Sequence, residues 1–182
     1  MKKTWKVIRK KNIIKHKLFS VDVHEVELPN KHVIKDYFLI KPNPGSIIVA
    51  ITEDDNIIFV TDYKYAVNEY VLTLPGGLAE SKKEMSKDVA IRELAEETGY
   101  RAKKMVCLGN ILPLPSNIQQ KTTVFVALKC KKTQEQSLDA SEDIRIKTIK
   151  RNKIAALVKK NIIQDSLTLA ALYLASSYIY ES

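Results

Sequence analysis

The chain has 182 residues, of which 45% are hydrophobic and 28% charged, and its formal net charge is +9 at pH 7. This length suits one domain, or one domain with a small appendage, and the apolar fraction is ample for a core. No apolar run reaches the roughly 18 residues of a membrane span, and the charged start lacks a secretory signal, so we expect a cytoplasmic protein without a membrane partner. Cys107 and Cys130 fit no metal or redox spacing and are predicted to be buried thiols.

The positive charge is concentrated at the N-terminus. Residues 1–20 carry eight basic side chains and no acid, whereas the rest of the chain, with 22 bases and 21 acids, is nearly neutral. The eight are Lys2, Lys3, Lys6, Arg9, Lys10, Lys11, Lys15 and Lys17. We interpret them as solvated strand faces. The alternative, that they steer a polyanionic substrate or hold nucleic acid, stays open.

The sequence pattern of residues 1–44 predicts a small unit of three antiparallel strands. Alternating and β-branched residues indicate strands over 5–14, 18–28 and 32–40, with a turn at 29–31. A unit of this size buries too little apolar surface to be stable alone, so we expect it to pack on the rest of the chain or on a second copy of itself. Two prolines and a glycine in residues 41–46 mark the boundary with the second unit, 45–182.

The second unit predicts strands interleaved with helices. Strands are expected over 46–52, 57–60, 70–74, 104–108, 122–129 and 142–147, and helices over 153–158 and 166–178, the latter capped near Asp165. Residues 131–141 are polar and predicted to be mobile. The first of these strands is apolar on both faces, so it needs cover on both sides. The fold class is therefore α/β (α+β), a mixed sheet with helices on both faces.

One further helix, over 86–98, carries an unusual charge pattern. Ser86 is its predicted N-cap and Gly99 its C′ residue. At about 100° per residue, Glu93, Glu96 and Glu97 fall on one side, near the helix C-terminus, where like charges and the helix dipole both disfavour them. A divalent cation such as Mg²⁺ removes this conflict because it takes carboxylate ligands. A solvated acidic face is the alternative.

The spacing G-x6-E-x7-R-E-L-x-E-E-x-G-Y, from Gly77 to Tyr100, resembles the Nudix box, with one extra residue in the loop before Glu84. The chain also resembles one Nudix branch, the ADP-ribose pyrophosphatases and related nucleoside diphosphate-sugar hydrolases. The supporting features are a Trp near the start, Glu-Leu-Pro at 27–29, Tyr-Lys-Tyr ahead of Leu-Pro-Gly-Gly, and Pro115. The resemblance implies an α/β/α sandwich preceded by N-terminal strands that exchange across a homodimer and help bind the nucleoside.

The resemblance also implies roles for residues of the box. Glu93 and Glu97 are metal ligands, together with the backbone carbonyl of Gly76. Glu96 is either a ligand or the base that takes a proton from water. The remaining two residues, Arg92 and Glu84, orient these ligands. Gly76 and Gly77 are expected to let the backbone approach the metal.

Substrate contacts are predicted outside the box. Lys64 stands where the family usually has arginine, and Pro115, 15 residues past Tyr100, fits the family's pattern. Each of Tyr37, Tyr63 and Tyr65 alone is read as core packing; stacking of one of them, Tyr37 or Tyr63 first, on a nucleobase is the alternative.

Three departures from the family bear on the substrate. Gln119 and Gln120 occupy a loop where many relatives carry a catalytic glutamate, and amides cannot act as bases. Lys64 keeps the positive charge of arginine but cannot bind a phosphate through two parallel hydrogen bonds. Thr73 stands before Leu-Pro, where the family often has a glutamate. Glu142 is a substitute base on a late strand.

The sequence thus predicts a Mg²⁺-dependent hydrolase, with Mn²⁺ able to substitute. Its substrate would be ADP-ribose or a related nucleoside diphosphate sugar, cut into a nucleoside monophosphate and a sugar phosphate. One alternative is a pyrophosphohydrolase acting on the 5′ end of RNA, suggested by the basic N-terminus. The other is a Nudix module that binds a nucleotide without cutting it.

Overall fold

The computed structural model describes residues 4–140 and 142–180, so Lys2 and Lys3 of the basic segment lie outside it. The strands are β1 (Lys6–Lys15), β2 (Phe19–Glu27), β3 (Val33–Pro42), β4 (Gly45–Thr52), β5 (Asn56–Lys64), β6 (Glu69–Thr73), β7 (Gly76–Leu78), β8 (Tyr100–Arg101), β9 (Lys104–Ile111), β10 (Thr122–Lys132) and β11 (Ile144–Lys150). The helices are α1 (Ser86–Thr98), α2 (Ile154–Lys159), α3 (Ser166–Leu174) and α4 (Ser176–Tyr180). A 3₁₀ turn, Arg151–Lys153, precedes α2.

The first three strands form a separate sheet in the order β1-β2-β3, antiparallel throughout. Every residue of β1 is exposed, and β2 carries the buried positions of this sheet, His24 and Val26. The three predicted N-terminal strands are therefore present, each within two residues of its predicted bounds. This sheet ends at Pro42, and the next begins at Gly45.

The remaining strands form one large mixed sheet. Its central path is β11-β5-β4-β10-β8, with β6 on β5, β7 on β4 and β9 on β10. β4 and β10 are parallel, whereas the other pairs are antiparallel. A parallel pair needs a long crossover, and the chain between β4 and β10 supplies it with α1.

Alternate residues of β4 bury into two cores. Ile47, Val49 and Ile51 pack with residues of α2, α3 and α4, whereas Ile48 and Ala50 pack against Ala90 and Leu94 of α1. A strand with apolar residues on both faces needs cover on both sides, and both sides are covered. The predicted fold class, a mixed sheet between two helical layers, is confirmed.

The small sheet is joined to the large one through the loop that follows β9. Ile40 donates its N–H to Asn117 O at 2.8 Å and accepts from Gln119 N at 2.8 Å. The Tyr37 hydroxyl donates to the carbonyl of Ser116. Asn43 is buried and donates through Nδ2 to Ala79 O at 2.8 Å, directly before the loop of the box. These contacts fix the small sheet beside the residues that form the candidate site.

Some sequence predictions were wrong in detail. The N-cap of α1 is Met85 and has no side-chain hydrogen bond, because Ser86 is already the first helical residue. The predicted helix 166–178 is broken at Ala175, and the bend lets Ile179 of α4 enter the same core.

Cys107 is exposed because β9 is an edge strand; only Cys130 is a buried thiol. Within residues 4–140 and 142–180, no helix is long and apolar enough to cross a membrane.

Candidate active site

The helix α1 presents the acidic side chains of the box. Its C-terminus is closed by Gly99, which has φ 72° and donates its N–H to Ala95 O. A Cβ on Gly99 would approach Gln134 O closer than 3.0 Å, so glycine is required both for the left-handed turn and for space. Leu94, on the adjacent face, is 1% exposed and anchors the helix to the sheet. As a result, Glu93 and Glu97 point toward β7.

The short strand β7 lies directly under these carboxylates. The N–H of Gly76 donates to Glu97 Oε2 at 2.9 Å. A Cβ on Gly77 would come within 3.0 Å of three atoms of the Glu93 carboxylate, and one on Gly76 would meet Ser46 O equally closely. The missing side chains of Gly77 and Gly76 thus leave room for the Glu93 carboxylate and the neighbouring strand, and the predicted approach of this backbone to a metal ion stays a prediction.

Arg92 connects the other acidic residues of the box. Its Nε donates to Glu84 Oε1 at 3.1 Å, and its Nη1 donates to Glu96 Oε2 at 2.9 Å. The same Nη1 lies 2.9 Å from Glu93 Oε1, and Nη2 donates to Leu78 O at 3.1 Å. The guanidinium thus fixes three carboxylates relative to the strand below. The Arg92 contacts expected from the sequence, with Glu84 and Glu96, are both formed.

Burial raises the proton affinity of two of these carboxylates. It raises the pKa of Glu97 to about 8, with further contributions from Glu93 and Glu142, despite the Gly76 N–H bond and the charge of Lys64. Burial likewise raises the pKa of Glu93 to about 6, against the stabilising charge of Arg92. For Glu84, burial is outweighed by the Glu80 N–H and Arg92, so its pKa is lowered. Glu97 is therefore mainly protonated at neutral pH without a cation.

The donor set suits a hard divalent cation. Carboxylate oxygens and a backbone carbonyl are the ligands that Mg²⁺ takes in proteins, and a cation would offset the burial that raises the pKa of Glu93 and Glu97. In the described part of the chain, however, no three acidic, histidine or cysteine side chains converge closely enough to ligate one ion. Glu96 and Glu93 are turned toward Arg92 instead. Ligation would require these side chains to rotate.

A cleft of about 300 Å³ opens beside β7. Gly76 and Gly77 form part of its floor, and Lys64, Gln120 and Asp165 are among the polar residues that line it. Asp165 also caps α3, accepting from Thr168 N at 2.7 Å, as the sequence predicted. The Lys64 ammonium pairs with Asp62 and stays half exposed, in reach of an anion in the cleft. Glu93 and Glu97 contact the same strand, β7, but neither they nor Glu96 are among the described residues that line the cleft. As the candidate position of a substrate, we name this space the catalytic cleft.

The other predicted substrate residues lie outside the lining of the catalytic cleft. Tyr63 donates its hydroxyl to Asn68 Oδ1 at 2.5 Å on the hairpin between β5 and β6. Tyr65, on the same hairpin, is 88% exposed, so its reading as core packing was wrong. Tyr37 packs edge-on against Trp5 with ring centres 5.7 Å apart. Pro115 lines a neighbouring cavity that shares Gln120 with the cleft.

The segment between β10 and β11 contributes more to the site than its polar sequence suggested. Gln136 donates through Nε2 to Glu97 O at 2.7 Å and to Ile144 O at 3.3 Å, and Ser137 N donates to Glu96 O at 2.9 Å. These hydrogen bonds disagree with the prediction that residues 131–141 are mobile. The segment leads to Glu142, whose charge acts on both Glu93 and Glu97. No sequence signal for the two Gln136 bonds exists, because both acceptors are backbone atoms.

Comparisons with known proteins agree with this geometry. The family model described as NUDIX domain matches residues 41–167. The chain is 30% identical over 169 residues to the ADP-ribose pyrophosphatase of Bacillus subtilis (strain 168), covering 92% of this chain and 90% of that protein. It is 29% identical over 168 residues to the methanol dehydrogenase activator of Bacillus methanolicus, covering 91% and 89%.

A solved structure shares the whole architecture. The crystal structure of an ADP compounds hydrolase superposes with a TM-score of 0.82, covering 96% of this chain and 93% of that one at 22% identity. At that identity the likeness concerns the fold. Together with the family match over residues 41–167, these findings establish that the chain belongs to the Nudix family, in the branch of the ADP-ribose pyrophosphatases.

Proposed function

We propose that this Nudix hydrolase cuts the diphosphate of ADP-ribose or a related nucleoside diphosphate sugar, with Mg²⁺ as cofactor and Mn²⁺ as a substitute. The relatives support hydrolysis of nucleoside diphosphate compounds in general. The observation that carries the proposal is the pair of buried carboxylates, Glu93 and Glu97, against the Gly76–Leu78 strand, which itself lines the catalytic cleft. Burial raises the pKa of both carboxylates, and a bound cation would offset that effect.

In the proposed reaction, the residues of the box have separate roles. Glu93, Glu96 and Glu97, with the carbonyl of Gly76, would hold the metal ion, which supplies charge neutralisation to the phosphate oxygens and acidifies water. Arg92 and Glu84 keep the carboxylates in place. Water adds across the diphosphate: its oxygen bonds to one phosphorus while the bridging oxygen leaves with the other phosphoryl group.

A base must take the proton of the attacking water. Glu96 is one candidate, because its side chain is partly exposed and, among the described residues, is held by Arg92 alone. Glu142 is the other, because its charge acts on both buried carboxylates and it hydrogen-bonds only to the backbone of Asp139 among described residues. Gln120 lines the cleft but cannot accept a proton usefully. Because Glu96 could also be a metal ligand, the Glu142→Gln variant decides between the two: unchanged kcat assigns the base to Glu96, whereas a large loss of kcat assigns it to Glu142.

The direct test is incubation of the protein with ADP-ribose and Mg²⁺, followed by chromatography of the products. AMP and ribose 5-phosphate are expected, and EDTA should abolish their release. Glu97→Gln should lose activity, whereas Glu135→Gln, with the same charge change on an exposed side chain, should retain it. Full activity of Glu97→Gln would reject the ligand role of this residue.

A second candidate function is nucleotide binding without hydrolysis. Gln120 favours it, because an amide stands in the cleft where many relatives carry a catalytic glutamate. A binder would be stabilised thermally by ADP-ribose yet would release no AMP, even with Mn²⁺. Turnover in the assay above excludes this candidate.

We further propose that residues 1–44 form a dimerisation unit distinct from the domain over 45–182. Ile8, Ile13 and Ile14 of β1 are each about half exposed, which is costly for a lone sheet. A second copy of the chain is the occupant that the family resemblance favours. Sedimentation should give a dimer mass, and an Ile13→Ser/Ile14→Ser variant should sediment as a monomer. A monomeric wild type would overturn this part of the proposal.

A further inference from the structure

Glu142 lies just before β11, in an exposed part of the segment between β10 and β11. Among the described residues, its carboxylate has one hydrogen-bond partner, the N–H of Asp139 in the same segment, at 3.0 Å. Its charge nevertheless acts on both Glu93 and Glu97, so its side chain lies near the acidic side of α1. An exposed carboxylate needs a support that keeps it facing in that direction, because an unsupported segment samples many directions.

The residues that follow Glu142 alternate between the two faces of the sheet. Ile146 packs in the core beneath α1, and Glu142 has the same parity, so both belong to the α1 face. Asp143 and Arg145 have the opposite parity and lie on the other face, where they meet Tyr70 of β6. A contact that fixes Asp143 on one face therefore also fixes the direction of Glu142 on the other.

Tyr70 reaches Asp143 across an intervening strand. β5 lies between β6 and β11, since residues 60–62 pair with both. From β6, the Tyr70 hydroxyl donates to Asp143 Oδ2, and the Tyr70 ring packs edge-on against Tyr63 of β5 with ring centres 5.4 Å apart. The Arg145 guanidinium carbon lies 5.2 Å from the centre of the Tyr70 ring, and Arg145 Nε lies 3.7 Å from Asp143 Oδ1. We name Tyr70, Asp143 and Arg145 the tyrosine clamp.

The tyrosine clamp contributes little to stability. Tyr70 is 49% exposed, and the side chains of Asp143 and Arg145 are more exposed still. Ion pairs and hydrogen bonds at such exposure are screened by water and change the free energy of unfolding little. The hydrogen bond to Asp143 raises the pKa of the Tyr70 hydroxyl, which therefore remains a donor at neutral pH. What the clamp orders is the residue next to Glu142.

We propose that Tyr70, acting through Asp143, is a positioning residue that directs Glu142 at the attacking water. This role rests on the proposed function and assigns the base: Glu142 takes one proton of the water while the water oxygen bonds to phosphorus, and the bridging oxygen leaves with the bonding electron pair. Gln136 holds the start of the segment on α1, and the tyrosine clamp holds its end on β6, so Glu142 lies between two fixed points. Misplacement of a reacting group by about 1 Å costs up to about 100-fold in rate.

The test uses Tyr70→Phe, which removes the hydroxyl and keeps the ring against Tyr63 and Arg145. We expect kcat for ADP-ribose to fall by about tenfold or more, with KM changed by less than about twofold. Tyr173→Phe is the control, because it removes a hydroxyl from a side chain of α3 that is 79% exposed, and it should leave both constants unchanged. The wild type and both variants should share one melting temperature.

Two double variants show whether the loss passes through Asp143 and Glu142. If Tyr70 acts only through Asp143, Tyr70→Phe/Asp143→Ala should be no slower than the slower of its two single variants. Tyr70→Phe should likewise cause no further loss in a Glu142→Gln protein, because the base that it positions is already gone. Losses that multiply in either pair would overturn the proposal, as would a Glu142→Gln protein with the kcat of the wild type.

Hydrogen exchange gives a readout that does not depend on turnover. The N–H groups of Asp139 and Glu142 bond within the segment, to Glu142 Oε2 and Asp139 O, at 3.0 Å each. Both should exchange faster in Tyr70→Phe than in the wild type or Tyr173→Phe, and equal exchange in all three would contradict the clamp. A wild type that releases no AMP from ADP-ribose would refute the proposed function and the positioning role together, whereas turnover with multiplying losses would refute the positioning role alone.

Discussion

At the scale of single residues, burial governs the charge of the box glutamates. Glu97 is 7% exposed and Glu93 9%, and the cations that face them do not offset the loss of water. Their side chains consequently hold protons at a pH where free glutamate has released them. A metal ion must displace those protons to bind, so metal affinity and pH are linked.

This linkage predicts how stability depends on pH. The pKa of Glu97 is raised to about 8 and that of Glu93 to about 6, so the stability they contribute is fully present below about pH 4.5 and is lost as the pH rises toward 8. We expect the free energy of unfolding in EDTA to fall by a few kcal/mol over this window, at about 1.4 kcal/mol per pKa unit. Urea titrations from pH 5 to 9 measure it.

Two comparisons make the pH prediction specific. Glu97→Gln should flatten most of the decline, because its amide does not titrate. Saturating Mg²⁺ should stabilise the wild type more at pH 8 than at pH 5, since fewer protons must then be displaced. A metal-free wild type whose stability is constant from pH 5 to 8 would contradict the account of burial given for Glu97.

Gly77 provides a test of contact rather than charge. Its missing side chain leaves room for the Glu93 carboxylate, which a Cβ would approach closer than 3.0 Å. We expect Gly77→Ala to displace Glu93 and to lower activity by roughly 10- to 100-fold, as is usual when a metal ligand loses its support. Gly109→Ala is the control, because Gly109 has a left-handed φ of 134° but nothing within 4 Å of a Cβ. If both variants lose activity equally, the loss is not caused by contact between a Cβ at position 77 and the Glu93 carboxylate.

At the scale of elements, the segment between β10 and β11 acts as a strap over the C-terminal end of α1. Gln136 bonds to the carbonyls of Glu97 and Ile144, so it joins the helix to the start of β11 just after Glu142. We expect Gln136→Ala to lower the free energy of unfolding by about 1–2 kcal/mol, since two hydrogen bonds are lost. It should also lower kcat more than it changes KM, because Glu142 and Glu97 lose their shared support.

The matched control for this strap is Gln134→Ala, two residues before Gln136 in the same segment. Its side chain is exposed and contacts Arg101 at 3.3 Å. We expect a change within about 0.5 kcal/mol and unaltered kinetics. Equal effects in the two glutamine variants would show that the strap has no special link to the site.

Sequence patterns predicted the long elements well and the short ones poorly. β4 was recognisable as a short continuous apolar run, and α1 because its apolar residues recur at the period of a helix. β7, of three residues, has the composition of a turn, and it is a strand only because Ser46 and Ile47 pair with it. Contacts between distant parts of the chain, such as Arg92 with Leu78 and Gln136 with Glu97, leave no periodic signal. The box identified the acidic residues and two of their contacts, those of Arg92 with Glu84 and Glu96, whereas their burial and the contacts with β7 and Gln136 became apparent only from the fold.

At the scale of the whole molecule, Asn43 couples the small sheet to the site. Its N–H donates to Leu18 O at 2.8 Å, and its side chain donates to Ala79 O at 2.8 Å, at the start of the box loop. Its own carbonyl accepts from Gln120, which lines the catalytic cleft. One residue, 5% exposed, therefore contacts the β2 sheet, the box loop and the cleft. This arrangement makes the position of the small sheet depend on a buried polar group.

We therefore expect Asn43→Ala to destabilise the protein by about 1–3 kcal/mol, because it leaves the Ala79 carbonyl buried without its donor. Since Ala79 directly follows β7, the variant should also weaken substrate binding and raise KM. Asn30→Ala, in the exposed turn between β2 and β3, is the control and should change stability by less than about 0.5 kcal/mol. Urea unfolding and steady-state kinetics of the two variants measure the difference. If Asn43→Ala lowers stability but leaves KM unchanged, the small sheet is held by this residue without being coupled to the cleft.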